Sequence, residues 1–168
     1  MFEMRGGEEM LEQDPAGQRP DGHVVFIGRV LSPWVNRESC PKNMRAARET
    51  GQTASLMIDE SYRAGLAGLE RVTHIHVFTW MHHAPRNLIV QKPRHATEAK
   101  GVFALRSPAR PNPVGLHSAR LLSFDIETGK IELDAIDALD GTPVIDIKPY
   151  FPSVDVLVDA LMPNRNDK

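Results

Sequence analysis

At 168 residues, with 41% hydrophobic side chains and a formal net charge of −2, the chain has material for one domain with a true core. The near-neutral balance excludes a protein that holds nucleic acid by bulk charge, so any basic surface must be local. The single cysteine, Cys40, excludes an intrachain disulfide and a cysteine-rich zinc site, and no apolar run approaches the ~18 residues of a membrane span. The acidic N-terminus is unlike a signal peptide, and a soluble cytoplasmic protein without membrane contact is the expectation.

Residues 1–22 mix glycines, prolines and acids without apolar periodicity, which predicts a flexible N-terminal arm with a helical turn around Glu8 to Leu11. An ordered domain is expected over 23–163. VVFIGRVL (24–31) reads as a strand closed by Ser32-Pro33, and the polar stretch after Trp34 as irregular. ASLMI (54–58) is a short strand. Asp59 can cap a brief helix that carries Tyr62, Leu66 and Leu69 on one face, weakened by Gly65 and Gly68. RVTHIHVFTWM (71–81) is the strongest strand signal, and LIVQ (88–91) is another strand.

RSPARPNPVGLHSARLL (106–122) follows. Pro108, Pro111 and Pro113 remove backbone donors and fix φ, so the stretch begins as a stiff loop. A strand from Val114 to Ile126 leads into the hairpin turn Glu127-Thr128-Gly129-Lys130. A strand over 131–139, a tight turn at Asp140-Gly141-Thr142-Pro143 and a strand over 144–147 complete the order. Six or seven short strands and one short helix predict a mainly β fold, a small closed or half-closed barrel. The absence of a βαβ pattern counts against a dinucleotide-binding sheet.

Charge is uneven. Between His82 and Arg120 lie Arg86, Lys92, Arg94, Lys100, Arg106, Arg110 and Arg120 against the single acid Glu98, a tract suited to an anionic partner. A proline-stiffened loop that presents guanidinium groups loses little entropy when it grips a ligand. His74 and His76 share one face of a strand, with His82 and His83 at its end. They lack the HExxH or cysteine partners of a zinc motif, so no metal is expected. Asp134, Asp137, Asp140 and Asp146 could include a general base, and Asp140 stands out because its DGTP turn exposes NH groups beside a carboxylate. These features argue for a ligand site without naming the ligand.

The strings GVFALRSPARPNPVGL (101–116) and LDGTPVIDIKPYFP (139–152), with FIGRVLSPW (26–34) and GLERVTHIHVF (68–78), resemble the TsaA-like (TrmO) family. The resemblance covers roughly residues 24–152. It implies an S-adenosylmethionine-dependent methyltransferase that N6-methylates threonylcarbamoyladenosine beside the anticodon of tRNA, built as a small β-barrel and acting as a homodimer. Carried over by position, the cofactor contacts would be Lys42, Asn43, Met44, His82, His83, Arg106, Leu116, Leu139, Asp140, Gly141 and Thr142. His82, His83 and Asp140 are the candidates for a catalytic base, with Tyr150 behind them. The chain departs from the family pattern in reading PKNM at 41–44 in place of a proline-glutamine-proline-like sequence. It also carries His82-His83 in place of a His-Gln pair, and a protein without the C-terminal domain of longer members is the expectation. Another methyl acceptor, or cofactor binding without catalysis, are the alternatives.

Overall fold

The computed structural model describes residues 4–19, 21–93 and 96–160. Nine strands run in chain order: β1 (Glu9–Met10), β2 (Gly28–Leu31), β3 (Ala54–Ile58), β4 (His74–Trp80), β5 (Leu88–Gln91), β6 (Lys100–Gly101), β7 (Val114–Asp125), β8 (Lys130–Leu133) and β9 (Pro143–Pro149). Two short helices, α1 (Met44–Glu49) and α2 (Pro152–Asp155), join them. Six strands close a barrel in the order β2-β3-β8-β7-β4-β9, and β1-β5-β6 form a separate small sheet. Closure leaves the barrel without a free edge, which is how a small antiparallel β domain avoids edge-to-edge association, while the small sheet keeps open edges at β1 and β6.

Alternation decides which side chains fill the barrel. Ile75 and Val77 of β4, Ala119 of β7, Leu56 and Ile58 of β3, Ile131 and Leu133 of β8, Val30 and Val144 are all buried in one cluster. Each large aliphatic side chain so buried contributes about 1.5–3 kcal/mol. The 12-residue β7 spans two neighbours: Val114 to Arg120 pair with β4, and Leu121 to Asp125 pair with β8 across a register shift. The early part of β7 therefore projects past the end of β8. That gap is filled by residues 134–138, with Ala135, Ile136 and Ala138 fully or almost fully buried as a plug.

Several elements differ from the sequence expectations. The strand expected at 24–31 is paired only from Gly28, and Val24, Val25 and Phe26 are exposed. The helix expected after Asp59 is two 3-10 turns, Glu60–Leu66 and Leu69–Arg71, separated at Gly68 with φ 96°, a left-handed conformation that ends the first run. The strand expected over 131–139 stops at Leu133, because Asp134 turns back to accept hydrogen bonds from the Arg120 backbone and the Arg48 side chain. The stretch read as irregular contains α1, capped by Asn43, whose side-chain oxygen accepts from the Ala46 amide at 2.8 Å. Glu8 to Leu11 is not a helical turn. β1 pairs with β5, and the buried Glu8 carboxylate accepts from the Arg5 and Lys92 amides at 2.9 and 3.0 Å. The strands at 54–58, 88–91 and 114–125, and the turn with Gly129 at φ 75°, match their expectations.

Candidate functional site

β4 ends at Trp80 where β7 begins at Val114, and β9 begins at the same end of the barrel. The sequence-predicted site segments collect here. Met81 closes onto the Pro113 carbonyl at 2.8 Å, and His82 and His83 follow as exposed side chains with ring centroids 3.8 Å apart. Leu139 to Thr142 form the turn into β9. Asp140 is fastened at three points. Its amide donates to Trp34 O at 2.8 Å, its Oδ1 accepts from Ser32 N at 3.1 Å, and the next amide, of Gly141, donates to Val30 O at 2.9 Å. Gly141 has φ 74° and nothing within 4 Å of where a Cβ would lie, so a ligand can approach the backbone. The Asp140 side chain remains exposed.

The third wall runs from Ser32 to α1. Trp34 Nε1 donates to Ile136 O and Ser32 Oγ to Ala138 O, both at 2.8 Å, which ties this wall to the plug. Arg48 of α1 bridges to Asp134 at 3.0 Å and donates to Ser118 O on β7. Lys42 is exposed at the entry to α1. Asn43 spends its side-chain oxygen on the helix cap, and Met44 packs partly against the core. Thr142 is buried, its hydroxyl donating to Leu139 O at 2.7 Å within the turn. Lys42, Asn43, His82, His83, Arg106, Leu116 and Asp140 thus offer exposed side chains, Asn43 with its oxygen spent on the cap, whereas Met44 and Thr142 are turned into the fold.

The proline loop divides its arginines. Arg110 is turned inward: Nε donates to Ser107 O at 2.6 Å and one terminal nitrogen donates to Val102 O and Leu105 O. Arg86 secures the other half, through Pro111 O at 2.7 Å, with its guanidinium 5.3 Å above the Trp80 ring. The sequence left the direction of Arg110 open, and the structure turns it onto its own loop. Only Arg106 remains exposed, with one 3.3 Å bond to Leu116 O. Arg94 lies outside the described residues.

Other candidates lie elsewhere. Tyr150 packs against His74 and His76 at the opposite end of β4, with ring centroids 6.4 and 5.2 Å away. It lines a pocket of about 510 Å³ with Arg48, Thr73, His74, Ser118 and Pro152. Asp146 is exposed and turns onto its own strand at Ile147 N. A buried group that sequence reasoning passed over is His117, bonded to Thr79 and Asp137. Its signal was present in Gly115, His117 and Ala119, three alternate positions that face the barrel interior although one of them is ionisable.

The fold and site define a small closed-barrel domain whose candidate site residues lie at one barrel end, on loops fixed by backbone hydrogen bonds. The model of the tRNA-methyltransferase O N-terminal domain matches residues 29–156, and the chain belongs to that family. It is 40% identical over 129 residues to an S-adenosyl-L-methionine-binding protein of Archaeoglobus fulgidus, covering 77% of this chain and 89% of the relative. A TrmO crystal structure superposes with a TM-score of 0.70 at 32% identity, covering 85% of this chain and 64% of that one. TrmO from Pseudomonas aeruginosa superposes with a TM-score of 0.68 at 31% identity, covering 84% of this chain and 62% of that one. The chain thus spans a little under two thirds of the TrmO chains it resembles. Among the described residues no helix is long and apolar enough to cross a membrane.

Proposed function

We propose that the chain is an S-adenosylmethionine-dependent methyltransferase that acts in the cytoplasm on tRNA, N6-methylating threonylcarbamoyladenosine beside the anticodon. One observation carries the reading. An exposed guanidinium, two adjacent imidazoles tilted 43° to each other, an anchored carboxylate and an exposed leucine lie at one barrel end with an unobstructed glycine turn.

This donor set fits the cofactor. Arg106 keeps all but one of its donors for the cofactor's carboxylate, which a guanidinium meets in a two-pronged geometry. Asp140, held through Ser32 N, has its second oxygen for ribose hydroxyls, and the Gly141 turn admits an adenine edge. Leu116, 42% exposed, offers an apolar cover. When bound, the cofactor supplies an electrophilic methyl group. The protein's own part is to orient the acceptor nitrogen in line and to take the proton it gives up. His82 and His83 are exposed beside the turn and can hold that proton, with Asp140 as the third candidate.

A second copy of the chain supports the same site. On the outer face of the β4–β7 pair, Trp80 lies opposite Val114 and Phe78 opposite Leu116, and Val114 and Leu116 are each 42% exposed. This apolar stripe adjoins Arg106, so a homodimer through it would complete the cofactor's enclosure.

The test is calorimetry of S-adenosylmethionine with the wild-type chain and Arg106→Ala, followed by mass spectrometry of tRNA nucleosides after incubation with the cofactor. Micromolar binding that Arg106→Ala weakens at least about tenfold, with methyl transfer to threonylcarbamoyladenosine, supports the reading. A wild-type chain that does not bind the cofactor overturns it. Binding with transfer to another acceptor overturns only the tRNA assignment.

A further inference from the structure

A chain of three polar groups runs through the barrel end beneath the candidate site. Asp137 Oδ1 lies 2.5 Å from His117 Nδ1, and His117 Nε2 lies 2.9 Å from Thr79 Oγ1. Thr79 is fully buried and His117 is 3% exposed. With Nδ1 donating to the carboxylate, Nε2 accepts the Thr79 hydroxyl hydrogen. The sulfur of Met81 lies 3.4 Å from the same hydroxyl.

Hydroxyl, imidazole and carboxylate in this order form the constellation of a nucleophilic triad. Its nucleophile position is sealed, because Thr79 has no exposed surface and no substrate carbon can reach it. The arrangement therefore holds rather than attacks. What it holds follows from where its members sit. Thr79 stands three residues before His82, His117 follows Leu116 directly, and Asp137 lies two residues before Leu139. Cys40, on the wall that leads to Lys42, lies close enough for the Asp137 charge to act on its thiol.

The space is cut for this chain. A Cβ on Gly115 would lie 2.4 Å from Thr79 Oγ1, 2.7 Å from His117 Nε2 and 3.2 Å from Met81 Sδ. No other residue fits without displacing two members of the network. Burying Thr79 and His117 where aliphatic side chains could pack costs desolvation that only a complete set of partners, the half-buried Asp137 included, offsets.

We propose that Thr79–His117–Asp137 is the positioning network of the cofactor site. It locks the plug that carries Leu139 to Thr142 against the β4–β7 pair that carries His82, His83 and Leu116. The proposal rests on the functional reading above and adds residues to it. None of the three touches the cofactor; they set the distance between the walls that do. A site whose walls are prearranged loses less entropy on binding, so the network acts on affinity.

The experiment uses the full chain with Thr79→Val, which keeps shape and removes only the hydroxyl, and Thr79→Ser, which restores it. Cofactor affinity comes from calorimetry, turnover from assays at saturating cofactor, and nativeness from near-ultraviolet circular dichroism. Loss of one buried hydrogen bond predicts that Thr79→Val weakens cofactor affinity about tenfold, with turnover at saturation within about threefold of wild type. Thr79→Ser should return affinity to within about twofold. Asp137→Asn, read by the same measures, takes the place of Thr79→Val if the latter does not fold. A native variant with unchanged affinity overturns the proposal, as does one with unchanged affinity and lost turnover. A wild-type chain without cofactor affinity sinks the functional reading and this one with it. Binding by the wild type and equal binding by the variants sinks this one alone.

Discussion

Arg110→Met separates the two arginines of the proline loop. Methionine keeps the apolar stem of the side chain and removes the guanidinium, which bonds the carbonyls of Ser107, Val102 and Leu105. Charge-assisted hydrogen bonds contribute about 1.5–3 kcal/mol when buried; for this half-buried group about 1 kcal/mol each is reasonable, about 3 kcal/mol in all. For a chain of this length that corresponds to about 6–12 °C in melting temperature. Arg106→Ala breaks one exposed 3.3 Å bond and should move the melting temperature by under about 2 °C, while it removes the group proposed to pair with the cofactor's carboxylate. Thermal melts of the three proteins, with limited proteolysis across 101–113, test the difference. Equal melting temperatures for Arg110→Met and wild type, with unchanged cleavage, would refute the idea that Arg110 staples the loop.

Two further outcomes concern titrating groups. Burial, and then the charge of Asp137, push the Cys40 thiol from 9.0 up to about 11, so at pH 8 its thiolate population falls about a hundredfold and its labelling should slow equally against the urea-unfolded chain. Because this pKa is raised on folding, its stabilising contribution is complete below pH 9 and is lost as pH climbs toward 11; comparable native and unfolded labelling rates would refute the placement. The Arg5 amide, and with it the Lys92 amide, hold Glu8 below its ordinary 4.5 against the opposing effect of burial, so the docking of β1 is fully supported above pH 4.5 and weakens as pH falls through the lower folded value. Hydrogen exchange at Glu9 to Leu11 should accelerate as pH falls below 4.5 beyond its intrinsic dependence, and Glu8→Gln should abolish the step; protection independent of pH would contradict it.

Strands that bury one face were legible because alternation records the barrel directly, as in HIHVFTW and VGLHSAR. What was not legible depended on partners distant in sequence. Residues 134–138 carry a strand-like pattern, yet Arg48 and Arg120 capture Asp134 and convert the run into a plug. α1 was hidden because only Ala47 of it is buried, which leaves no apolar stripe to detect. At the site, the grouping of His82, His83, Arg106 and Asp140 as candidates came from motif resemblance. The inward turn of Arg110 did not, since no sequence signal tells a guanidinium that meets a ligand from one that meets its own loop.

Backbone accounting explains why the loop needs those arginines. Pro108, Pro111 and Pro113 supply no amide hydrogens, so the 102–113 segment has more carbonyls than backbone donors to satisfy them. The deficit is met from outside the loop's backbone. Met81 N serves Pro113 O, Val114 N serves Asn112 O, Arg86 serves Pro111 O, and Arg110 serves three more. A guanidinium is suited to this because it presents five donors on one rigid plane. The prolines and the inward arginines are then one device: the first limits the conformations open to the unfolded loop, and the second supplies donors to its carbonyls, of which Val102 O also accepts from the Leu105 amide. Arg106 is outside that accounting. Its single long bond leaves it the loop's free cation among the described residues, held on a rigid base beside Leu116, which is the arrangement that recognition of a small anionic group requires.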